Sequence, residues 1–176
     1  MKKFWLFLVV LGTVLLLSGC LPQNNINSFG ELNTTYKVKT TMYLEDQAVR
    51  ITNCDIVDDY ASCTFFNDGE DDGSYSARID REDIEIFADL GPTALLLYLN
   101  DRYLKDQGDY YLLDGNDVYY FIYDVLGDQY YNTLEDFEAD NPDNLYFQIY
   151  LEDGVVTKME GYEGLEMYLL IEVYYE

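Results

Sequence analysis

The residue types best able to do chemistry in this chain are three cysteines and a large excess of carboxylates. The 176 residues contain no His, 34 Asp and Glu, and 10 Lys and Arg, for a formal charge of −24. Without His there is no Ser-His-Asp or Cys-His site, no His-ligated zinc and no imidazole catalysis. Paired carboxylates could serve a glycosidase, but with this many acids suitable pairs arise by chance. We therefore predict a protein that is not an enzyme and has no cofactor.

The charge and composition also exclude several classes of protein. A nucleic-acid binder must neutralise phosphates, and a peripheral protein held by anionic lipid needs a basic patch. The few cations argue against both. Hydrophobic residues make up 49% of the chain and aromatic residues 16%, which is far above the composition of a disordered chain. The sequence thus predicts a folded, acidic domain with no nucleic-acid partner.

One acidic loop has the beginning of a calcium-binding pattern. Asp68–Gly73 places oxygen ligands at alternate positions with Gly sixth, but position twelve, which should be a bidentate Glu, is Ile79. A solvated turn is the better interpretation, and we expect no metal site. The acidic loops Asp114–Asp117 and Glu135–Asp143 are of the same kind, although charge density alone could bind divalent cations weakly.

Cys54 and Cys63 are spaced to meet across a hairpin. The two β-rich runs around them flank Asp58-Asp59, which suits a turn. A loop symmetric about that pair sets Ile56 opposite Ala61 and Cys54 opposite Cys63, at a separation that suits a cross-strand disulfide. We predict a structural disulfide here, with two buried thiols as the alternative. The neighbouring aspartates argue against a redox role, because they would raise the pKa of a thiol.

The N-terminus carries the most specific motif. Met1–Lys3 is positively charged, Phe4–Leu17 is almost wholly apolar, and Leu-Ser-Gly-Cys follows at residues 17–20. This pattern resembles the lipobox of bacterial lipoproteins, which implies that Cys20 is the lipid-attachment residue, carrying acyl chains such as palmitate. The alternative is a transmembrane anchor, but the apolar run is shorter than the roughly 20 residues that a spanning helix needs.

The lipobox divides the chain into three parts. Residues 1–19 are expected to be a signal peptide, residues 20–33 the lipidated Cys and a polar tether, and residues 34–176 a single β-rich domain. The expected location is extracytoplasmic, with the cell membrane as partner through the lipid on Cys20. Outside the cytoplasm the Cys54–Cys63 disulfide can persist.

The domain sequence alternates between strand-like and helix-like segments. The run at 90–105 has Pro92 at a plausible first helical position, and the apolar residues between 118 and 126 recur at helical spacing. Residues 68–74 suit a loop. Strands are predicted at 35–44, 47–57, 60–67, 75–80, 84–88, 110–113, 145–151, 155–161 and 165–175.

The hairpin near the C-terminus turns at Glu152-Asp153-Gly154. A three-residue loop with a bulge sets Phe147 opposite Met159, whereas a two-residue Asp-Gly turn sets Phe147 opposite Glu160. We favour the bulged turn because it pairs apolar residues. The elements together predict an α+β domain, an antiparallel sheet with about two helices packed on one face.

The order of elements is similar to that of the LolA-like and LprG-like envelope lipoproteins. The likeness is carried by the lipobox and tether, the long first strands, the helix that ends at 103–108, and the hairpin at 146–160. It implies a curved antiparallel half-barrel closed by helices over a hydrophobic cavity, and a lipid or other apolar ligand. It implies no particular binding residue, since that family binds lipid through generic apolar lining.

Two functions follow from these expectations. The first is a membrane-anchored, extracytoplasmic binding module for a lipid or another apolar ligand. The second is a structural or interaction protein of the cell envelope, with an acidic, Tyr-rich surface and no enclosed cavity, whose partner is a protein or a glycan. The 19 tyrosines suit either function, because aromatic rings can line a cavity or stack on sugars.

Overall fold

A computed structural model describes residues 35–79, 91–99, 101–126 and 144–175. Nine antiparallel strands in that part of the chain form one sheet. They are β1 Tyr36–Leu44, β2 Gln47–Val57, β3 Tyr60–Asn67, β4 Glu70–Arg78, β5 Lys105–Asp106, β6 Tyr111–Asp114, β7 Leu145–Glu152, β8 Val155–Glu163 and β9 Glu166–Tyr175. The predicted signal peptide and tether, and the predicted strand at 84–88, lie outside the described residues.

The strand order is β4-β3-β2-β1-β9-β8-β7-β6-β5. The first four strands and the last five are therefore two meanders, of which the first runs from the centre to one edge and the second from the other edge back to the centre. They meet where β1 pairs with β9, with Tyr36 opposite Tyr175 and Thr40 opposite Ile171. This arrangement places the first and last strands, which are rich in β-branched and aromatic residues, in the middle of the sheet.

The expected α+β class, a half-barrel with two packed helices, is wrong. The described chain is nearly all-β, with one short α-helix, α1 at Asn116–Leu126, and two 3₁₀ segments at Gly91–Tyr98 and Asp101–Tyr103. The helix expected between residues 92 and 105 is thus replaced by the 3₁₀ segments. Lys105, expected in its last turn, instead lies in β5 opposite Leu112.

The first 3₁₀ segment packs against the sheet. Thr93, Ala94 and Leu96 within it are buried, and so is Leu99 just after it. The hydroxyl of Thr93 lies 2.7 Å from that of Thr40 on β1, so the segment is fixed to the sheet through its first turn.

The second predicted helix is confirmed as α1, which begins two residues earlier than expected. Gly115 adopts a positive φ of 58° and its carbonyl accepts a hydrogen bond from the Val118 amide at 3.1 Å, which starts the helix. Val118 and Phe121 are buried, three residues apart on one face. The Phe121 ring meets the Tyr103 ring edge-on, with centroids 6.4 Å apart.

The hairpins near the two ends of the domain differ in how well they were predicted. In the β2–β3 hairpin the register is the expected one, with Ile56 opposite Ala61 and a turn residue, Asp58, at a φ of 54°. In the β7–β8 hairpin the favoured bulged turn is wrong. Glu152 pairs with Val155 across a two-residue turn, and the bulge lies further along, between Tyr150 and Leu151.

The loop predicted at residues 68–74 is also mostly strand. Only Asp68 and Gly69 form a turn, with φ values of 49° and 83°, and β4 begins at Glu70. The second half of β4, residues 75–78, falls in the strand predicted at 75–80, but hydrophobic content could not reveal the first half because it begins with acidic residues. It pairs with β3 and forms one edge of the sheet, where exposed charges are tolerated and discourage pairing with other chains.

Alternation along the strands gives the sheet one core face and one open face. The core face is packed with side chains that are at most 3% exposed. The other face, which we call the open face, carries the residues that alternate with these along each strand, and its polar and aromatic residues are described in the next section. Those on the core face include Tyr36, Val38, Cys54, Ile56, Ala61, Cys63, Leu113, Phe147, Ile149, Met159, Leu169 and Ile171.

Candidate functional site

The predicted disulfide is confirmed and has a structural role. Cys54 and Cys63 are bonded at 2.06 Å with a Cα–Cα distance of 4.1 Å, and they are 2% and 0% exposed. Both lie on the core face, packed with the apolar side chains of β1–β3. Cys20 lies outside the described residues, so its lipidation stays a prediction.

The acidic loops are held by bonds within the protein. The Asp71 side chain accepts a hydrogen bond from the Gly73 amide at 2.8 Å, and that of Asp72 accepts one from Asn67 at 2.5 Å. Within the described residues, no group of His, Cys, Asp and Glu is placed to hold a metal ion. The loop Glu135–Asp143 lies outside them.

The open face of β7 and β8 carries a cluster of aromatic and charged side chains, which we call the tyrosine cluster. Its members alternate along the two strands, since Tyr146, Gln148 and Tyr150 face Tyr162, Glu160 and Lys158. The rings of Tyr146 and Tyr162 are stacked, 5.0 Å apart at 11°. Tyr110 contacts Tyr150 with centroids 5.8 Å apart.

Glu160 is the hydrogen-bonding centre of the tyrosine cluster. The hydroxyls of Tyr150 and Tyr162 both donate to its Oε2, each at 3.0 Å, and Lys158 Nζ lies 2.9 Å from its Oε1. The Tyr150 hydroxyl also lies 2.8 Å from Gln148 Oε1. Lys158 is held a second way, with its Nζ 3.9 Å from the centroid of the Tyr150 ring. These contacts fix the rings and the charges relative to one another.

The pKa values in the cluster follow from those contacts. Partial burial acts to raise the pKa of Glu160, but the hydrogen bonds from Lys158, Tyr150 and Tyr162 outweigh it, so that pKa lies below its ordinary value. Burial, and then the bond to the Glu160 carboxylate, raise the pKa of Tyr150 and of Tyr162 to about 12. At neutral pH Glu160 is therefore a carboxylate, and the phenols of Tyr150 and Tyr162 keep their protons.

The open face also carries every lysine in the described part of the chain. Lys37 and Lys39 lie on β1, Lys105 on β5 and Lys158 on β8. Each has a carboxylate beside it. Lys37 is opposite Asp55. Glu172 on β9 lies between Lys39 on β1 and Lys158 on β8 and pairs with both. Lys105 lies 2.5 Å from Asp114 and 3.0 Å from Asp117, and its pKa is raised by the hydrogen bonds to these two residues.

A shallow groove lies on the part of the open face formed by β1, β2, β3 and the end of β9. Its volume is about 290 Å³. The open-face side chains that line it are hydroxyl, amide and charged groups together with one exposed tyrosine. They are Lys37, Lys39, Asn53, Asp55, Ser62, Thr64 and Tyr174. Val38 and Cys54 also contribute atoms to the lining, so the surface of the groove is partly polar and partly apolar.

Neither the tyrosine cluster nor the groove was predicted as a site. The only signal available was the alternation of Tyr146, Gln148 and Tyr150 with apolar residues, which indicates a strand with one polar, aromatic face. Which residues of β8 they face depends on a bulge that no sequence pattern marks.

Comparisons with known proteins give no family for this chain. No protein-family model, no curated protein and no solved structure matches it. Among the described residues there is no helix long and apolar enough to cross a membrane.

Proposed function

We propose that the protein is an extracytoplasmic, lipid-anchored binding module of the cell envelope, which holds its partner on the open face of the sheet. The carrying observation is the tyrosine cluster, where side chains from two strands are fixed around Glu160 on a solvent-facing surface. Fixed aromatic and charged groups at an accessible surface favour binding, because little side-chain entropy remains to be lost. The anchor is Cys20, as the lipobox predicts.

The packing of the core face supports a surface partner over an enclosed apolar ligand. Ile149, Met159 and Ile171, at the centre of the sheet, are 0% exposed and are covered by protein. The side chains that an apolar ligand would contact are thus already packed against one another. This favours the envelope interaction protein with an acidic, Tyr-rich surface over the lipid carrier.

Anchoring is tested by labelling cells with a palmitate analogue. The wild-type protein should incorporate the label and fractionate with membranes, whereas Cys20→Ala should do neither. A Cys20→Ala variant that stayed in the membrane fraction would indicate a transmembrane anchor instead.

The binding surface is tested with a photo-crosslinking amino acid placed at one position at a time in the lipidated protein in cells. Asn53 and Thr64 lie exposed on the open face, and Asp58 and Asp153 lie in turns at the ends of hairpins. We expect crosslinks to envelope material from the first two positions and none from the turns. Equal crosslinking from all four positions, or none from the open face, would contradict the proposal.

A further inference from the structure

The open face carries an unbroken row of polar side chains that crosses seven strands. Cross-strand pairs connect Ser74 to Thr64, Thr64 to Asn53 and Asn53 to Lys39. The row continues from Lys39 to Glu172, from Glu172 to Lys158 and from Lys158 to Tyr150. We call it the polar row. Neighbouring strands lie about 4.8 Å apart, so the row is about 29 Å long.

The polar row ends at the tyrosine cluster and runs through the groove. Lys39, Asn53 and Thr64 line that groove, and Tyr150 at the far end is fixed by its bonds to Glu160 and Gln148. An extended ligand lying across the strands would therefore meet hydrogen-bonding groups along its length and an aromatic ring at one end.

The charge distribution selects the class of ligand. Every lysine on the open face has a carboxylate neighbour, so this face has no surplus of positive charge, and acids at the turns surround it, among them Asp58, Asp68 and Asp153. A polyanion would be repelled by the turns, and a polycation would find stronger attraction at the turns than on the face. A neutral chain rich in hydroxyls has no such preference and can both donate to and accept from the hydroxyls, amide and charges of the row.

We infer that the ligand of the open face is a neutral oligosaccharide chain several sugars long, lying along the polar row with one sugar against the tyrosine cluster. This inference rests on the proposed function, because it names the partner of the same surface. Sugar hydroxyls match the donors and acceptors of the row. The apolar face of a sugar ring can pack on the ring surface of the tyrosine cluster that Lys158, which covers one face of Tyr150, leaves open.

The test is calorimetric titration of the mature, lipidated protein in a detergent without sugar groups. The neutral probes are cellohexaose, chitohexaose and α-1,6-mannohexaose, with the matching disaccharides as short probes. The charged probes are hexagalacturonate and hexalysine. We expect at least one neutral hexasaccharide to bind, and to bind more tightly than its disaccharide, since a long chain contacts more of the polar row.

Two variants and two matched controls locate the binding. Asn53→Ala and Tyr150→Phe should each weaken the binding of that hexasaccharide, by roughly 10-fold for one or two lost hydrogen bonds. The controls make a similar change away from the row. Gln47→Ala removes an exposed amide at the beginning of β2, and Tyr120→Phe removes the hydroxyl of an exposed tyrosine on α1. Both should bind as the wild type does.

The outcomes separate the inference from the proposed function. Binding of hexagalacturonate or hexalysine alone, or no binding by any neutral hexasaccharide, would overturn the oligosaccharide inference while crosslinking from the open face still supported the binding module. Equal loss in the variants and controls would also overturn it. Failure of the open face to crosslink at all would remove the proposed function, and the inference with it.

Discussion

At the scale of single residues, Glu160 is the residue on which the candidate site most depends. Its carboxylate accepts from two tyrosine hydroxyls and pairs with Lys158, so three neighbouring side chains share one charge. Removing that charge while keeping the shape of the side chain would leave each of them with a weaker partner. A change at Glu160 should therefore affect the stability of the fold, the dependence of that stability on pH, and binding at the open face.

Glu160→Gln should destabilise the fold by about 1–3 kcal/mol at neutral pH, the usual range for hydrogen bonds to a charged group. Because the pKa of Glu160 is lowered on folding, its stabilising effect is fully present above its ordinary pKa of 4.5 and is lost as pH falls through the lowered value. Urea unfolding of the wild type and of Glu160→Gln should thus give free energies of unfolding whose difference becomes smaller below about pH 4.5.

The matched control for this change is Glu152→Gln, at the exposed end of β7. It should alter stability by no more than about 0.5 kcal/mol, as surface changes generally do. If the difference in free energy of unfolding between the wild type and Glu160→Gln stayed constant or grew at acid pH, the charge of Glu160 would not be what stabilises the cluster.

The residue scale also shows what the sequence could and could not predict of the site. Cys54 and Cys63 could be paired because the turn between them is short and symmetric. The Glu160 contacts could not, because the register favoured from sequence would set Gln148 opposite Lys158 and Tyr146 opposite Glu160. In the structure each of these partners is displaced by two residues, so Gln148 faces Glu160 and Tyr146 faces Tyr162.

At the scale of elements, the hairpins fix which side chains meet on the open face. The β7–β8 turn places Asp153 at a φ of 52° and Gly154 at 83°, a conformation that suits Asn-Gly and Asp-Gly. The 3₁₀ segment at 91–98 could not be predicted, because a run of adjacent leucines satisfies helical and 3₁₀ periodicity alike. The β2–β3 pairing could be predicted, since the two runs flank a short symmetric turn and their alternating buried residues mark the core face.

Gly154→Ala should destabilise the β7–β8 hairpin by about 1–2 kcal/mol, since a Cβ is disfavoured at positive φ. The measurement is the thermal unfolding midpoint, which should fall by several degrees. Asp153→Asn serves as the comparison because Asn adopts this conformation readily, and it should leave the midpoint unchanged or slightly higher. Equal losses in the two variants would mean that the turn conformation does not govern the register.

The disulfide stabilises the β2–β3 hairpin, which supplies Asn53 and Thr64 to the polar row. The two cysteines are nine residues apart in sequence. Closing a loop of that length stabilises the fold by about 2–3 kcal/mol, because it lowers the conformational entropy of the unfolded chain. Changing both cysteines to Ala should lower stability by at least that amount in urea unfolding. If reduction of the wild-type protein left its stability unchanged, the bond would not be a structural clamp.

At the scale of the whole molecule, the two meanders share one sheet with a distinct distribution of charge. Carboxylates lie at the turns, on the β4 edge and on the open face, whereas the described lysines all lie on the open face. The net charge of −24 predicts solubility and repulsion from an anionic bilayer, but it does not reveal this placement of the lysines. The sheet order creates it, because Lys39 and Lys158 reach one surface only when β1 pairs with β9 and β9 with β8.

The central claim is that the open face holds the partner, and lysine-selective acetylation tests it most directly. Lys37, Lys39 and Lys158 report on the open face, whereas selective modification of carboxylates reports on turn residues such as Asp58 and Asp153. In intact cells, compared with the purified protein, we expect the three lysines to be protected and the turn carboxylates to react equally well. Lysines that react equally in both settings, or protection confined to the turns, would contradict the account.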